Sequence, residues 1–288
     1  METKFYKALT IAKNTMVIHG SANDNAFLLE GNSYALLIDA TTGAGSLKEF
    51  CRSLTDLPVH IALTHGHADH IGGCFEFGEC YVHPADIDIM YIDPSVERRL
   101  SFIKGMSGGS TFVTLEDLLP PCPLRTFPLY GGDFFDLGDR RIEVIGVPGH
   151  TRGTLIFFDP STGIVFSGDA CNTNTLLYLD GSASIREYRE SLLKIQKRRG
   201  EFTAFWGGHG REPLSPDVID QAIILCNAIL NGTDEAADSG FRQDGLTQIP
   251  YFYARKRTQD NSANIAYHRD WIREAPVYRK PPVNKATY

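Results

Sequence analysis

Val59-His60-Ile61-Ala62-Leu63-Thr64-His65-Gly66-His67-Ala68-Asp69-His70-Ile71-Gly72-Gly73 is the stretch on which the reading of the chain turns. Its first part is an apolar, β-branched run of strand character. It passes directly into three imidazoles and one carboxylate between positions 65 and 70. Packing does not account for such a cluster, because each buried polar side chain needs a partner of its own. A metal ion supplies that partner. Imidazole together with carboxylate suits a divalent transition ion such as Zn²⁺, and a loop that follows a strand lets alternate side chains point at one centre. Gly66 and the pair Gly72-Gly73 permit the close turns this needs.

Three further residues stand at comparable strand ends. They are His150 in Val147-Pro148-Gly149-His150-Thr151, Asp169 in Phe166-Ser167-Gly168-Asp169-Ala170, and His209 in Trp206-Gly207-Gly208-His209-Gly210. Each follows an apolar strand and sits beside glycine. One alone would read as a turn residue, but three in this order after the dense cluster point to a shared centre.

With all seven positions in view, the chain resembles the metallo-β-lactamase superfamily of metallohydrolases over roughly Met16 to Gly210, through the HxHxDH motif and the later His, Asp and His. The resemblance implies a four-layer αββα sandwich, an α+β fold with two mixed sheets between helices and the metals at one edge. It implies that His65, His67 and His150 hold a first divalent ion, Asp69, His70 and His209 a second, and that Asp169 bridges them. The ions would be Zn²⁺, with Fe or Mn as alternatives. Two such cations can share a hydroxide and polarise a scissile carbonyl or phosphoryl oxygen. A carboxylate touching both metal and water, Asp69, would orient the nucleophile and pass a proton to the leaving group.

Departures within the family narrow the chemistry. Position 67 is His where the diiron flavoprotein branch carries Glu, which argues against redox chemistry. The Asp at 169 is absent from the true dizinc β-lactamases, which argues against antibiotic hydrolysis as the main activity. Glyoxalase II and the family's lactonases share all seven ligands; the former adds a helical C-terminal region with basic residues for glutathione, whereas the tail here, although it contains Arg255, Lys256 and Arg257, reads as strands more than helices. The expected activity is therefore cleavage of a small ester, thioester or lactone by a dinuclear zinc hydrolase using a metal-bridging hydroxide. A phosphodiesterase and a non-catalytic metal-containing binding protein are the alternatives.

Composition limits the partners. The chain has 288 residues, with 28 Lys plus Arg against 35 Asp plus Glu, a net charge of −7. Nucleic-acid affinity rests on clustered cations that release counterions, so nucleic acid is not expected and a small-molecule substrate is. Six scattered cysteines without a CxxC pair read as reduced thiols. Met1 to Gly20 has no sustained apolar run, so neither a signal peptide nor a membrane anchor is expected, and the location read from the sequence is cytoplasmic.

Strands are expected at 15–19, 26–30, 34–39, 59–64, 80–83, 125–129, 134–137, 141–147, 154–159, 164–167 and 204–207, with helices at 46–54, 184–199 and 215–230 ended by Gly200 and Gly232. Residues 84–104 read as helix broken at Pro94. Residues 105–123, rich in Gly, Ser, Thr and Pro, read as a flap that, with the preceding helix, covers the metal centre. Residues 1–232 are expected to form the catalytic domain and 233–288 an extension with strands at 249–255 and 264–268 plus a tail. Tyr91, Phe102, Cys171, Asn172 and Asn174 are the substrate-pocket candidates, although the helical apolar positions suit the core equally well. His19, His60, His83 and His268 lie outside the motif and read as structural.

Overall fold

Why the strand runs are apolar at consecutive positions, without the alternation of a half-exposed sheet, is clear from a computed structural model, which describes residues 1–92, 94–243, 248–254 and 264–277. Among them the central strands at Asn25–Glu30, Ala35–Ile38, Leu155–Asp159 and Ile164–Gly168 are buried on both faces. β1 (Lys7–Ala12), β2 (Thr15–His19), β3 (Asn25–Glu30), β4 (Ala35–Ile38), β5 (Val59–Ala62), β6 (Glu79–Val82) and β7 (Arg125–Pro128) lie side by side in chain order. Pairing is antiparallel from β1 to β4 and parallel from β4 to β7. The chain continues through β8 (Phe134–Asp136), β9 (Arg141–Gly146), β10 (Leu155–Asp159), β11 (Ile164–Gly168), β12 (Thr175–Leu177) and β13 (Ala204–Gly207). All of these except β12 form the second sheet, in the order β13-β11-β10-β9-β8.

Period-two geometry sorts the side chains into layers. Val17, Phe27, Leu29, Leu36 and Ile38 of the first sheet meet Phe135, Val144, Phe157, Phe166 and Trp206 of the second in one buried cluster between the sheets. Ile18, Ala26, Leu28, Ala35 and Leu37, the alternate positions, face outward and pack with residues of α1 (Leu47–Arg52), α2 (Ala68–Ile71) and α3 (Cys74–Phe77). After these come α4 (Ile87–Met90), α5 (Val96–Met106), α6 (Ile185–Gln196) and α7 (Val218–Asn231). Ile156, Phe158, Val165 and Phe205, on the outer face of the second sheet, are covered by α6 and α7 through Tyr188, Leu192, Ile219, Ala222 and Cys226. Helix, sheet, sheet and helix follow in that order, the αββα sandwich expected from the sequence.

Some boundaries differ from expectation. α6 ends at Gln196, three residues before the expected end, and Gly200 falls in a separate 3-10 turn at Arg199–Glu201. Gly232 does terminate α7 in the left-handed conformation, φ 67°. Three strands were missed, β1, β12 and β14 (Ala237–Gln243). β15 (Gln248–Tyr253) and β16 (Ile265–Tyr267) correspond to the two strands expected near the C-terminus, but they join neither large sheet. With β14 and β12 they make a third sheet, ordered β12-β16-β15-β14. The basic triplet at 255–257 lies outside the described residues.

The expected flap is not one continuous loop. Gly105 and Met106 belong to the last turn of α5, and Leu115–Asp117 form a 3-10 turn capped by Thr114. Val113 and Leu118 are buried with Ala22, Ala44 and Ile103. A backbone bond from Gly45 to Asp117 and the Lys4–Asp117 ion pair at 3.3 Å fix this segment against the N-terminal part of the chain.

Candidate metal centre

Chain topology brings the seven candidate side chains to one end of the two large sheets. His65, His67, Asp69 and His70 follow β5, His150 follows β9, Asp169 follows β11, and His209 follows β13. The strand ends converge closely at glycine positions. A Cβ on Gly168, which has φ 49°, would lie 2.3 Å from the Thr64 hydroxyl, and one on Gly208 would lie 2.4 Å from Cε1 of His70. Side chains at either place would push the two sheets' loops apart.

Three groups form among these residues: His65 with His67 and His150, His65 with His70 and Asp169, and Asp69 with His70 and His209. Within each group the donor atoms lie within 4.8 Å of one another. The Asp69 carboxylate (Oδ2) is 3.1 Å from His209 Nε2 and 3.5 Å from His70 Nε2. Asp169 Oδ2 lies 3.6 Å from both His150 Nε2 and His209 Nε2, and 3.8 Å from His70 Nε2.

Hydrogen bonds from outside the cluster set which imidazole nitrogen faces inward. Asp39 accepts from the Thr64 backbone N–H at 2.7 Å and from its hydroxyl at 2.8 Å. With its proton given to Asp39, the Thr64 oxygen accepts from His65 Nδ1 at 3.0 Å. Asp39 also takes the Nδ1 proton of His70 at 2.9 Å, and the Leu176 carbonyl takes that of His150 at 2.9 Å. In all three rings Nε2 is left with its lone pair toward the centre. His67 Nδ1 and His150 Nε2 share a hydrogen bond at 2.8 Å. His65 Nε2 and His70 Nε2 are buried without a hydrogen-bond partner. These orphaned lone pairs, with two carboxylates among them, fit divalent metal.

Electrostatics agree. Burial and the neighbouring imidazoles push His65 well down and His67 to about 3, so both rings are neutral ligand forms. Burial opposes charge on His70, but Asp69, Asp39 and Asp169 outweigh it and raise that ring to about 9. His209 is raised for the same reason, against burial, by Asp169 and Asp69. Asp169 is held well down, its burial outweighed by His209, His70 and His150. The carboxylates thus attract positive charge from every side, which a proton or a metal can supply.

A second support was not foreseen from sequence. Asp86 is fully buried and accepts from Gly66 N at 2.9 Å, Gly153 N at 2.9 Å and the Thr151 hydroxyl at 2.7 Å. It ties the 65–70 loop to the 150 loop, and burial raises its carboxyl to about 6 despite those bonds. In the sequence it stands after Pro84-Ala85, where an acid reads as an ordinary helix-start residue. Asp39 carried more signal, since it follows the β4 run directly, as His65 nearly does β5.

A cavity of about 930 Å³ opens onto the cluster, and Phe102, Asn172 and Asn174 are in its wall as expected. Asn172 Nδ2 donates to Asp169 Oδ1 at 3.3 Å. Two expected residues are placed elsewhere. Cys171 is 1% exposed in the core beneath α6 and α7, and Tyr91 packs on the outer face of the first sheet. Of the expected flap only Met106 reaches the cavity wall, whereas the preceding α4 and α5 contribute several residues. The other four histidines have local partners: His19 with Asn25, His60 against Tyr34, His83 capping its own turn, and His268 stacked on Trp271.

The sequence profile described as the metallo-beta-lactamase superfamily matches residues 22–209, more than half of the chain. The chain belongs to the metallo-beta-lactamase superfamily. Among curated relatives, the protein named acyl-coenzyme A thioesterase MBLAC2 of Homo sapiens is 29% identical over 167 residues, covering 53% of this chain and 60% of that one. Its Gallus gallus counterpart is 27% identical over 190 residues, covering 60% and 66%. The chain thus spans about three-fifths to two-thirds of these relatives' length. A metallo-beta-lactamase from Pontibacter korlensis has a similar structure, with a TM-score of 0.53 at 15% identity, covering 76% of this chain and 97% of that one. An archaeal superfamily protein from Sulfolobus tokodaii gives 0.50 at 19%, covering 78% and 87%. Both share the fold. Among the described residues no helix is long and apolar enough to cross a membrane.

Proposed function

We propose that this superfamily member is a metal-dependent hydrolase with two divalent ions, Zn²⁺ first among the candidates, and that it cleaves a thioester in preference to other small esters and lactones. The observation that carries the reading is the set of inward-facing nitrogens without partners, His65 Nε2 and His70 Nε2, beside two carboxylates. His65, His67 and His150 would hold one ion, Asp69, His70 and His209 the other, and Asp169 both. When bound, the ions acidify water and polarise the scissile carbonyl oxygen.

The chain's own groups do the rest. Asp69, in the cavity wall and within 3.5 Å of two imidazoles, orients the attacking water and holds its proton for the leaving group. Asn172 steadies Asp169 through its amide. A thiol leaving group departs readily because its pKa is about 8.5, so the demanding tasks are nucleophile supply and carbonyl polarisation. The acyl-coenzyme A thioesterase name of the relatives supports the thioester over the lactone. All six cysteines are free thiols, which supports a reducing compartment, the cytoplasm. Residues 1–232 are assigned as the catalytic unit, and 233–288 as an extension that braces β12.

Purified metal-loaded protein should hydrolyse thioesters faster than lactones and phosphodiesters. Turnover of phosphodiesters alone would replace the substrate class, and no turnover with two ions bound would indicate a binding protein. Asp169→Ala should lose both ions and activity together, because one carboxylate serves two cations. His60→Ala removes a ring packed edge-on against Tyr34, 4.8 Å between centroids, and should retain the metal.

A further inference from the structure

The cavity has two unlike walls. On one side α5 presents Arg98, Phe102 and Met106 at four-residue intervals, about 12 Å of a single helix face. Ile89, Ile92 and Pro94 extend that face toward α4. Phe102 stands nearest the catalytic cluster, its ring 6.1 Å from that of His209. Met106 and Ile92 are 44% and 40% exposed although they line the cavity. Leu176 and Leu179 also line the cavity, while the Asn172 amide bonds the candidate ligand Asp169 and the Asn174 backbone N–H bonds Asn172 in turn. An occupant that satisfies both walls has a hydrolysable carbonyl at one end and a flexible apolar body at the other.

We propose that the α4–α5 wall is an acyl-chain subsite, that the substrates are thioesters of medium-length aliphatic acids, and that Phe102 and Met106 determine how long a chain is accepted. The inference rests on the thioester reading of the same site. Linear chains fit better than rigid ring systems because the aliphatic Ile89, Ile92 and Pro94 offer no flat stacking slot and the flexible Met106 thioether adapts to a chain's end. With one thiol carrier throughout, chain-length preference is read from the acyl end alone.

The test uses acyl thioesters of N-acetylcysteamine from acetyl to dodecanoyl, with kcat/KM measured for each. In the native protein kcat/KM should rise about fourfold per added methylene until the trough is filled. Met106→Trp fills the outer part of the trough, and the decanoyl-to-acetyl ratio of kcat/KM should fall at least tenfold. Leu115→Trp, at an exposed residue outside the cavity wall, should leave that ratio as it is. Binding of the non-hydrolysable decyl thioether of N-acetylcysteamine, read by calorimetry, follows the subsite without turnover and should weaken at least tenfold in Met106→Trp. Thioester hydrolysis with a flat chain-length profile, unmoved by Met106→Trp, would overturn the subsite and leave the hydrolase standing. Thioether binding that Met106→Trp weakens, with no thioester cleaved, would retain the subsite and overturn the hydrolase. No hydrolysis and no binding would overturn both.

Discussion

Asp39 shows how much one side chain outside the ligand set can govern. Its carboxylate receives three hydrogen bonds and thereby fixes the tautomers of two imidazoles, His70 directly and His65 through Thr64. It does so from a left-handed backbone, φ 61°, which Asp and Asn adopt more readily than other residues. Asp39→Asn therefore keeps the turn but offers one acceptor oxygen instead of two. It is expected to weaken metal binding by about 10- to 100-fold with little loss of fold, measurable by competition with a chromogenic chelator. Unaltered affinity would mean that packing alone orients the rings. The seven ligand candidates were legible because imidazoles and carboxylates beside glycines are conspicuous at strand ends. Asp39 and Asp86 were not, since a single acid after a strand or before a helix has ordinary uses in turns and caps.

At the level of elements, α6 is the helix whose start the sequence marks most clearly. Ser184 accepts from the Glu187 backbone and Glu187 returns the bond to Ser184, a capping box at the chain's entry into a helix that buries Ile185, Tyr188, Leu192 and Ile195. Ser184→Ala should cost about 1 kcal/mol, seen as a lowered Tm with unchanged metal content. A loss of metal instead would show that α6 sets the 150 loop through the Ser191 bond to Pro148 rather than simply covering the sheet. β1 was illegible because Lys7-Ala8-Leu9-Thr10-Ile11-Ala12 shows no strict polar/apolar alternation, and only one of its six positions is buried. The cavity face of α5 was equally hidden. Ile103 of the same helix is fully buried while Phe102 lines the cavity, and sequence spacing does not say which apolar stripe faces protein and which faces substrate.

For the whole molecule, the question is what joins the two sheets away from the metal edge. Arg140 reaches from the second sheet's connecting turn to the Asn14 carbonyl and the Thr15 hydroxyl of the first, and pairs with Asp159 at 2.6 Å. The Asp159 side chain is wholly buried. Burial would raise its carboxyl, but Arg140 and the Ser161 and Thr162 hydroxyls hold it below the ordinary 3.8. A depressed carboxylate contributes stability above its unfolded value and loses it as the pH falls through the folded one. Arg140→Met strands that carboxylate and should cost about 3 kcal/mol at neutral pH by urea unfolding. The deficit should narrow toward about pH 4, as the stranded group protonates. A pH-independent deficit would assign the loss to packing. The layered αββα plan was readable because the central strands of both large sheets are buried on two faces. The third sheet was not, since β12 finds its partner β16 some 90 residues further along the chain, beyond two helices.

That third sheet also bears on the order in which a nascent chain can finish its site. His209 follows His70 by 139 residues, about 7 to 30 s of synthesis at ordinary rates. The carbonyl that orients His150 belongs to Leu176 of β12, and β12 pairs with β16 at residues 265–267. A ribosome must therefore have delivered nearly the entire described chain before the last ring is held in place. An unfinished copy already has Asp39 and Thr64 to aim His65 and His70, but lacks the strand pair that holds the Leu176 carbonyl against His150.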